Sequence, residues 1–338
     1  MESIRSSARI VDKNLMEVQS GSALVSVGKA LVRPPPQTFA SGITENGSVA
    51  KAGNDPTGTE KRHAKILKQW NAYVDALEEH GVKVFEEKPD EKNPDSHYVQ
   101  DHAFVINTDL TSGPILHYAI MARPGSKARA RETSGVKKAL EEHGVGILEL
   151  SRGKLEIGDV VPDFEHRTIF VGITVGKEPR TDVTGVDNFA REVKAILPDF
   201  TVVGLKHSGS PHLGTHFTAL GNGVAVYDSK CRIDFDNPYI PAIPMTDQPL
   251  PFSGLKQRVP YDEIKPGAKG LIELPPEEGY AANMLVVNNG AMVASGHPTA
   301  IKIAKESFDK VTELEMSESR SMDGSLTCWS VLFNTLRN

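Results

Sequence analysis

Apolar positions in this chain repeat a pattern: short apolar strands, a helix with one apolar face, and a further strand directly after the helix. Ile66, Leu67, Trp70, Tyr73, Val74 and Leu77 share one face of a predicted helix that stops at Gly81, and the strand 82–85 (VKVF) follows at once. The same succession recurs at 128–143, closed by Gly144 and followed by a strand over 146–150. A third helix carries Val186, Phe189, Val193 and Ile196 ahead of a strand at 201–205. A fourth starts near Pro298, carries Ile301, Ala304 and Phe308, and runs into 311–315.

Further apolar strands are expected at 103–106, 115–121, 168–172, 223–227 and 284–288, and a first one at 29–33, stopped by Pro34, Pro35 and Pro36. The unit is two or three strands plus one helix, repeated at an irregular spacing of about 60 residues or more. Stacked units of this kind predict a closed, pseudosymmetric α/β ring, because each buries its apolar face against a neighbour. A doubly wound parallel sheet is the competing architecture, but no Gly-rich phosphate loop follows the first strand.

Three stretches fall outside the repeat. Residues 1–28 are small and polar and read as a loose extension ahead of a single domain over 29–338. Residues 41–59 are rich in Gly, Ser and Asn and read as a mobile loop. Residues 229–279 hold many prolines and few periodic apolar positions, so they are either a degraded unit or a surface excursion over one end of the ring.

Composition narrows the function classes. A chain of 338 residues with 39% hydrophobic and 24% charged residues is that of a soluble globular protein. A net charge of -6 argues against a nucleic-acid partner and fits attraction of a small cationic ligand. Two cysteines, Cys231 and Cys328, make neither a disulfide framework nor a CxxC metal site, which points to a reducing compartment. No apolar run reaches the length of a membrane span, and the first 30 residues lack a signal-peptide core, so cytoplasm is the expected location.

Four short segments carry the candidate chemistry, each beside a predicted strand. In 93–101 (NPDSHYVQD), Asp95 and Asp101 are acceptors able to pair with a planar cation; Asp95 after Pro94 also suits a turn. In 155–161 (LEIGDVV), Glu156 sits between apolar neighbours, where a carboxylate needs a partner such as a histidine, while Asp159 suits either that role or bracing of the turn. The segment 207–217 brings together His207, His212 and His216. Their spacing invites a zinc reading, but Gly209, Pro211 and Gly214 argue against a helix there, so a single general acid/base is the more economical assignment. The fourth segment places Cys328 after a Gly-containing turn and ahead of Trp329, Val331, Leu332 and Phe333, as a nucleophile or as a small buried hydrophobe.

Taken in order, Val32-Arg33-Pro34, Pro94-Asp95-Ser96, Val99-Gln100-Asp101, Ala122-Arg123-Pro124-Gly125, Glu156-Ile157-Gly158-Asp159, Arg180-Thr181, His212-Leu213-Gly214-Thr215, Tyr280-Ala281-Ala282-Asn283 and Asp323 to Cys328 resemble the dimethylarginine dimethylaminohydrolases, a family of the guanidino-group-modifying superfamily. The resemblance implies a five-bladed α/β propeller and hydrolysis of an Nω-methylated arginine to citrulline and an alkylamine, with a small guanidino substrate and neither a metal nor an organic cofactor. It makes Cys328 the nucleophile, His212 the general acid/base and Glu156 its supporting carboxylate. Asp101, Asp95 and Gln100 fall at substrate-binding positions, and Arg123 and Arg180 at those that hold the substrate's amino-acid end. The 41–59 loop falls where the family carries its lid. Two positions depart from the usual pattern: Gln100 stands in place of Glu, and Gly214 in place of Lys. Arginine deimination and amidino transfer are sister activities implied by the same fold, and a non-catalytic binding homologue is the reading from another class. The resemblance sets no oligomeric state.

Overall fold

The computed structural model describes residues 25–42, 56–108, 116–125, 127–176, 179–241, 258–259 and 269–336. Most of the 41–59 loop and parts of the 229–279 stretch lie outside the described residues.

The strands are β1 (Val25–Val32), β2 (Lys83–Glu86), β3 (Ala103–Thr108), β4 (Leu116–Met121), β5 (Gly146–Glu149), β6 (Val160–Asp163), β7 (Thr168–Thr174), β8 (Thr201–Ser208) and β9 (Phe217–Gly221). They continue with β10 (Val224–Asp228), β11 (Arg232–Ile233), β12 (Arg258–Val259), β13 (Gly270–Leu274), β14 (Leu285–Val287), β15 (Gly290–Ala294), β16 (Lys310–Leu314) and β17 (Ser330–Leu336). The helices are α1 (Pro56–Glu79), α2 (Lys127–Glu142), α3 (Val183–Ile196), α4 (Pro298–Ser307) and the short α5 (Ser317–Arg320).

One pairing scheme recurs in all four sheets: an antiparallel pair whose second strand takes a third, parallel neighbour. It appears in β3-β4-β5, β6-β7-β8, β9-β10-β13 and β14-β15-β16. The fifth instance, β17-β1-β2, is assembled from both ends of the chain. A parallel third strand needs a crossover, and α2, α3, α4 and α1 supply it in four of the units. β17 also runs parallel to β3, which joins two units into one curled six-stranded sheet in the order β2-β1-β17-β3-β4-β5.

The helix boundaries follow from local chemistry. α1 and α2 end where Gly81 (φ 80) and Gly144 (φ 75) take the left-handed conformation, and the next amides, Val82 and Val145, reach back 3.0 Å to Leu77 and Leu140. Asp182 caps α3 by accepting from Gly185 N at 2.8 Å, and Pro298 occupies the first turn of α4. The faces read from the sequence are the buried ones: Ile66, Trp70, Tyr73 and Leu77 on α1, and Val186, Phe189 and Val193 on α3.

One boundary differs from expectation, and the described part of 229–279 joins the repeat. The first strand begins at Val25, inside the stretch read as a loose extension, because Val25 and Val27 pair with Leu336 and Asn334 at the far end of the chain. Within 229–279, β13 is the third strand of the β9-β10-β13 unit and β11 extends β8, so this stretch completes a unit. Among the described residues no helix is long and apolar enough to cross a membrane.

Candidate active site

Each unit's first strand is preceded by a single 3-10 turn: 99–102 before β3, 157–159 before β6, 213–215 before β9, 279–282 before β14 and 326–329 before β17. The chemistry-bearing side chains sit on or beside these turns. Asp101 and Cys328 lie within them, Glu156 and His212 immediately before, and Asn283 immediately after. The repeat therefore brings one such residue from each unit, within or next to its turn, and the four titratable ones line a single cavity of about 290 Å³. Asp95, Tyr98, Arg129, Lys154, Arg180 and Asp323 line it as well.

Hydrogen bonds between turns fix the geometry. His212 Nε2 lies 2.7 Å from Glu156 Oε2, and its Nδ1 lies 3.7 Å from Asp101 Oδ1. The His212 turn is held from below by Asp159, whose Oδ1 accepts from Leu213 N at 2.7 Å and from His207 Nε2 at 3.0 Å. Asn283 ties the His212 and Cys328 turns together, donating to the Gly214 carbonyl (2.6 Å) and to Thr327 Oγ1 (2.8 Å) while accepting from Thr327 N (3.0 Å). Gly158 is required by close approach: a Cβ there would lie 2.5 Å from His212 Nδ1 and 2.6 Å from Asp101 Oδ1.

The charges are strongly coupled. Burial opposes protonation of His212, but Asp101 and Glu156 outweigh it and raise its pKa above the ordinary imidazole value. Burial works against the Glu156 carboxylate too, yet His212, Arg180 and Arg129 bring it down to about 2. Burial, with the Asp101 charge behind it, pushes the Cys328 thiol up to about 11 despite hydrogen bonding from Ser325, whose Oγ is 3.4 Å away. Burial and Asp101 thus disfavour the Cys328 thiolate, while Asp101 and Glu156 favour the protonated form of His212.

The remaining expected residues divide. Asp95 lines the cavity, and Arg180 reaches Glu156 Oε2 at 3.3 Å while remaining partly exposed. Arg123 is exposed and donates to the Gly153 carbonyl, outside the cavity lining. Gln100 faces a separate, mainly apolar cavity that Gly214 also lines, and its Oε1 has no hydrogen-bond partner among the described residues. The three histidines diverge to three carboxylates: His212 to Glu156, His207 to Asp159 and His216 to Asp228 at 2.7 Å. Among the described residues no three His, Cys, Asp or Glu side chains converge on a point a metal ion could occupy.

Arg129 is the residue the sequence did not single out. It is buried at the start of α2, donating to Asp101 Oδ2 (2.6 Å), to Glu132, and to the carbonyls of Asp95 (3.1 Å) and Tyr98 (3.2 Å). Its only sequence signal is the Arg-x-x-Glu spacing with Glu132.

No family model matches the chain. The N(G),N(G)-dimethylarginine dimethylaminohydrolase of Pseudomonas aeruginosa is 29% identical over 278 residues, covering 80% of this chain and 89% of that protein. A solved structure of the P. aeruginosa enzyme, a cysteine-to-serine mutant complexed with citrulline, superposes with a TM-score of 0.65 at 24% identity, over 91% of this chain and all of that one. The N-terminal domain of ArgZ, a cyanobacterial arginine dihydrolase bound to substrate, superposes with a TM-score of 0.64 at 19% identity, over 90% of this chain and 97% of that one.

Proposed function

We infer that this chain, a relative of the dimethylarginine dimethylaminohydrolases, hydrolyses the guanidino group of an Nω-methylated arginine to citrulline and an alkylamine, using Cys328 as nucleophile. The observation that carries the reading is the convergence of Cys328, the His212-Glu156 dyad and Asp101 on one cavity. Asp101 Oδ1 is buried with no hydrogen-bond partner among the described residues, and such an acceptor calls for a donor. A guanidinium supplies it, together with the positive charge that a buried carboxylate favours.

Binding also prepares the nucleophile. Asp101 is one of the groups holding the Cys328 thiol up, and a cation at Asp101 removes that opposition. The thiol gives its proton to solvent, and the thiolate attacks the guanidinium carbon, giving a tetrahedral adduct. His212, kept protonated by Glu156 and Asp101, gives its proton to the departing amine, leaving a thiouronium on Cys328. The neutral imidazole then takes a proton from water, whose oxygen attacks the same carbon. The carbon-sulfur bond breaks, the adduct's hydroxyl proton passes to the sulfur, citrulline leaves and the thiol is restored.

Arg180, at the cavity wall, serves the substrate's carboxylate end, and Asp95 contributes negative charge beside Tyr98. The five strand units are the blades of one propeller, a single domain with this cavity at the centre. Purified protein incubated with asymmetric dimethylarginine, monomethylarginine and arginine, with citrulline, alkylamine and ammonia measured separately, tests the reading. Citrulline with dimethylamine supports it. Citrulline and ammonia from arginine alone would make the protein an arginine deiminase, and no citrulline from any of them would leave a binding role.

A further inference from the structure

We propose that Arg129 sets substrate preference by occupying half of Asp101, so that the cavity favours a guanidinium with one alkylated terminal nitrogen over arginine itself. The inference rests on the reading of the cavity as a guanidino-hydrolysing site.

Arg129 is a resident guanidinium in a site read as receiving another. One of its nitrogens donates to Asp101 Oδ2 at 2.6 Å, while Oδ1 of the same carboxylate faces His212 Nδ1 at 3.7 Å and accepts no hydrogen bond among the described residues. Arg129 is not free to swing away. Glu132 and the carbonyls of Asp95 and Tyr98 take three of its other four N–H donors, and both Arg129 and Glu132 are buried. Asp101, Glu132 and Glu156 together hold Arg129 positive against the cost of burial.

The consequence follows from hydrogen-bond geometry. A carboxylate with both oxygens free accepts two parallel N–H bonds from the two terminal nitrogens of a guanidinium, and arginine can supply both. Asymmetric dimethylarginine cannot, because one terminal nitrogen has no hydrogen left. Arg129 takes one of the acceptor sites of Oδ2, so an end-on fork from arginine must share that oxygen with a second, buried cation and is weakened. Arginine then loses its advantage, while the methylated substrate loses nothing and gains burial of its methyl groups.

The test compares kcat/KM for asymmetric dimethylarginine and for arginine in the unaltered protein, in Arg129→Gln and in Arg129→Lys. The unaltered protein is expected to favour dimethylarginine. Arg129→Gln, which releases Oδ2, is expected to lower the dimethylarginine-to-arginine ratio roughly tenfold, about what one charge-assisted hydrogen bond is worth. Arg129→Lys keeps a buried cation but loses the planar fork, and its ratio should fall in the same direction; it serves where Arg129→Gln does not fold. A purely structural role would weaken both substrates alike and leave the ratio unchanged, and that result in a folded variant overturns the proposal. So does a preference for arginine in the unaltered protein, whatever the variants do. Citrulline from neither substrate would instead overturn the catalytic reading itself.

Discussion

Nε2 of His212 lies 2.7 Å from Oε2 of Glu156, and both side chains are buried. The pair spans two units of the repeat, so the dyad exists only when those units pack. Glu156→Gln keeps the shape of the contact and removes its charge. His212 then loses part of what raises its pKa, and the imidazolium is lost at lower pH than in the parent protein. We expect kcat to fall about 100-fold or more, within the range of general acid/base contributions, and the alkaline limb of the pH-rate profile to move to lower pH. Steady-state rates across pH for the two proteins check both.

Cys328→Ser should abolish turnover and leave substrate binding measurable by calorimetry. The thiol itself makes a further prediction. With its pKa at about 11, the Cys328 thiolate is scarce at neutral pH in the unliganded protein. The rate of alkylation by iodoacetamide should therefore rise about tenfold per pH unit from 7 to 10. A plateau reached by pH 8.5 would contradict the buried, carboxylate-opposed thiol described here.

Gly158 leaves room for the two groups that face it. Ala at this position places a methyl within 2.6 Å of His212 Nδ1 and of Asp101 Oδ1, so those side chains must separate. We expect Gly158→Ala to lower kcat at least tenfold with a change in melting temperature of only a few degrees, since misplacement of about 1 Å is enough to slow chemistry strongly. Rate measurements and thermal unfolding on the same preparation distinguish this from general destabilisation.

Asn283 joins the turns that carry His212 and Cys328 through three hydrogen bonds, and it is buried. Asn283→Ala leaves the Gly214 carbonyl and the Thr327 amide without that partner. A loss of about 1–3 kcal/mol of unfolding free energy is expected from denaturant titration, with reduced kcat. An Asn283→Ala protein of unchanged stability would show that the two turns hold their places without this bridge.

The sequence disclosed the parts of this molecule whose causes are local. Helix ends at Gly81 and Gly144 follow from left-handed glycines, and buried helix faces follow from apolar spacing. Asp101, Glu156, His212 and Cys328 stood out because each is a polar group at the head of an apolar strand. What escaped depends on distant partners. Val25 and Val27 become strand only by pairing with Leu336 and Asn334, and β13 becomes the third strand of its unit only by lying beside β10. Gln100 is next to Asp101 in sequence, but adjacent residues of one 3-10 turn point to different sides, so it faces the other cavity. Arg129 looked like one charge among several at the start of α2, because nothing local announces that Asp101 will lie against it.

His97 makes the last prediction, one of stability and not rate. It is fully buried, its ring centre 3.9 Å from that of Tyr98 at a 40° tilt and edge-on to Phe39, and burial together with the Arg129 charge lowers its pKa to about 3. The unfolded chain, with an ordinary imidazole near 6.5, binds a proton that the folded protein refuses. Stability conferred by the neutral ring is therefore complete above pH 6.5 and is lost as the pH falls toward 3, at about 1.4 kcal/mol per pH unit. His97→Phe fills the same aromatic slot with a ring that does not titrate. We expect the variant's stability relative to the parent to improve by about 2 kcal/mol between pH 7 and pH 5, read as the change in the difference of their unfolding free energies in urea. His102, whose pKa burial also lowers to about 3, keeps its own contribution in both proteins, so the comparison isolates residue 97. An equal pH dependence in parent and variant would mean that the ring at 97 is protonated in the folded state.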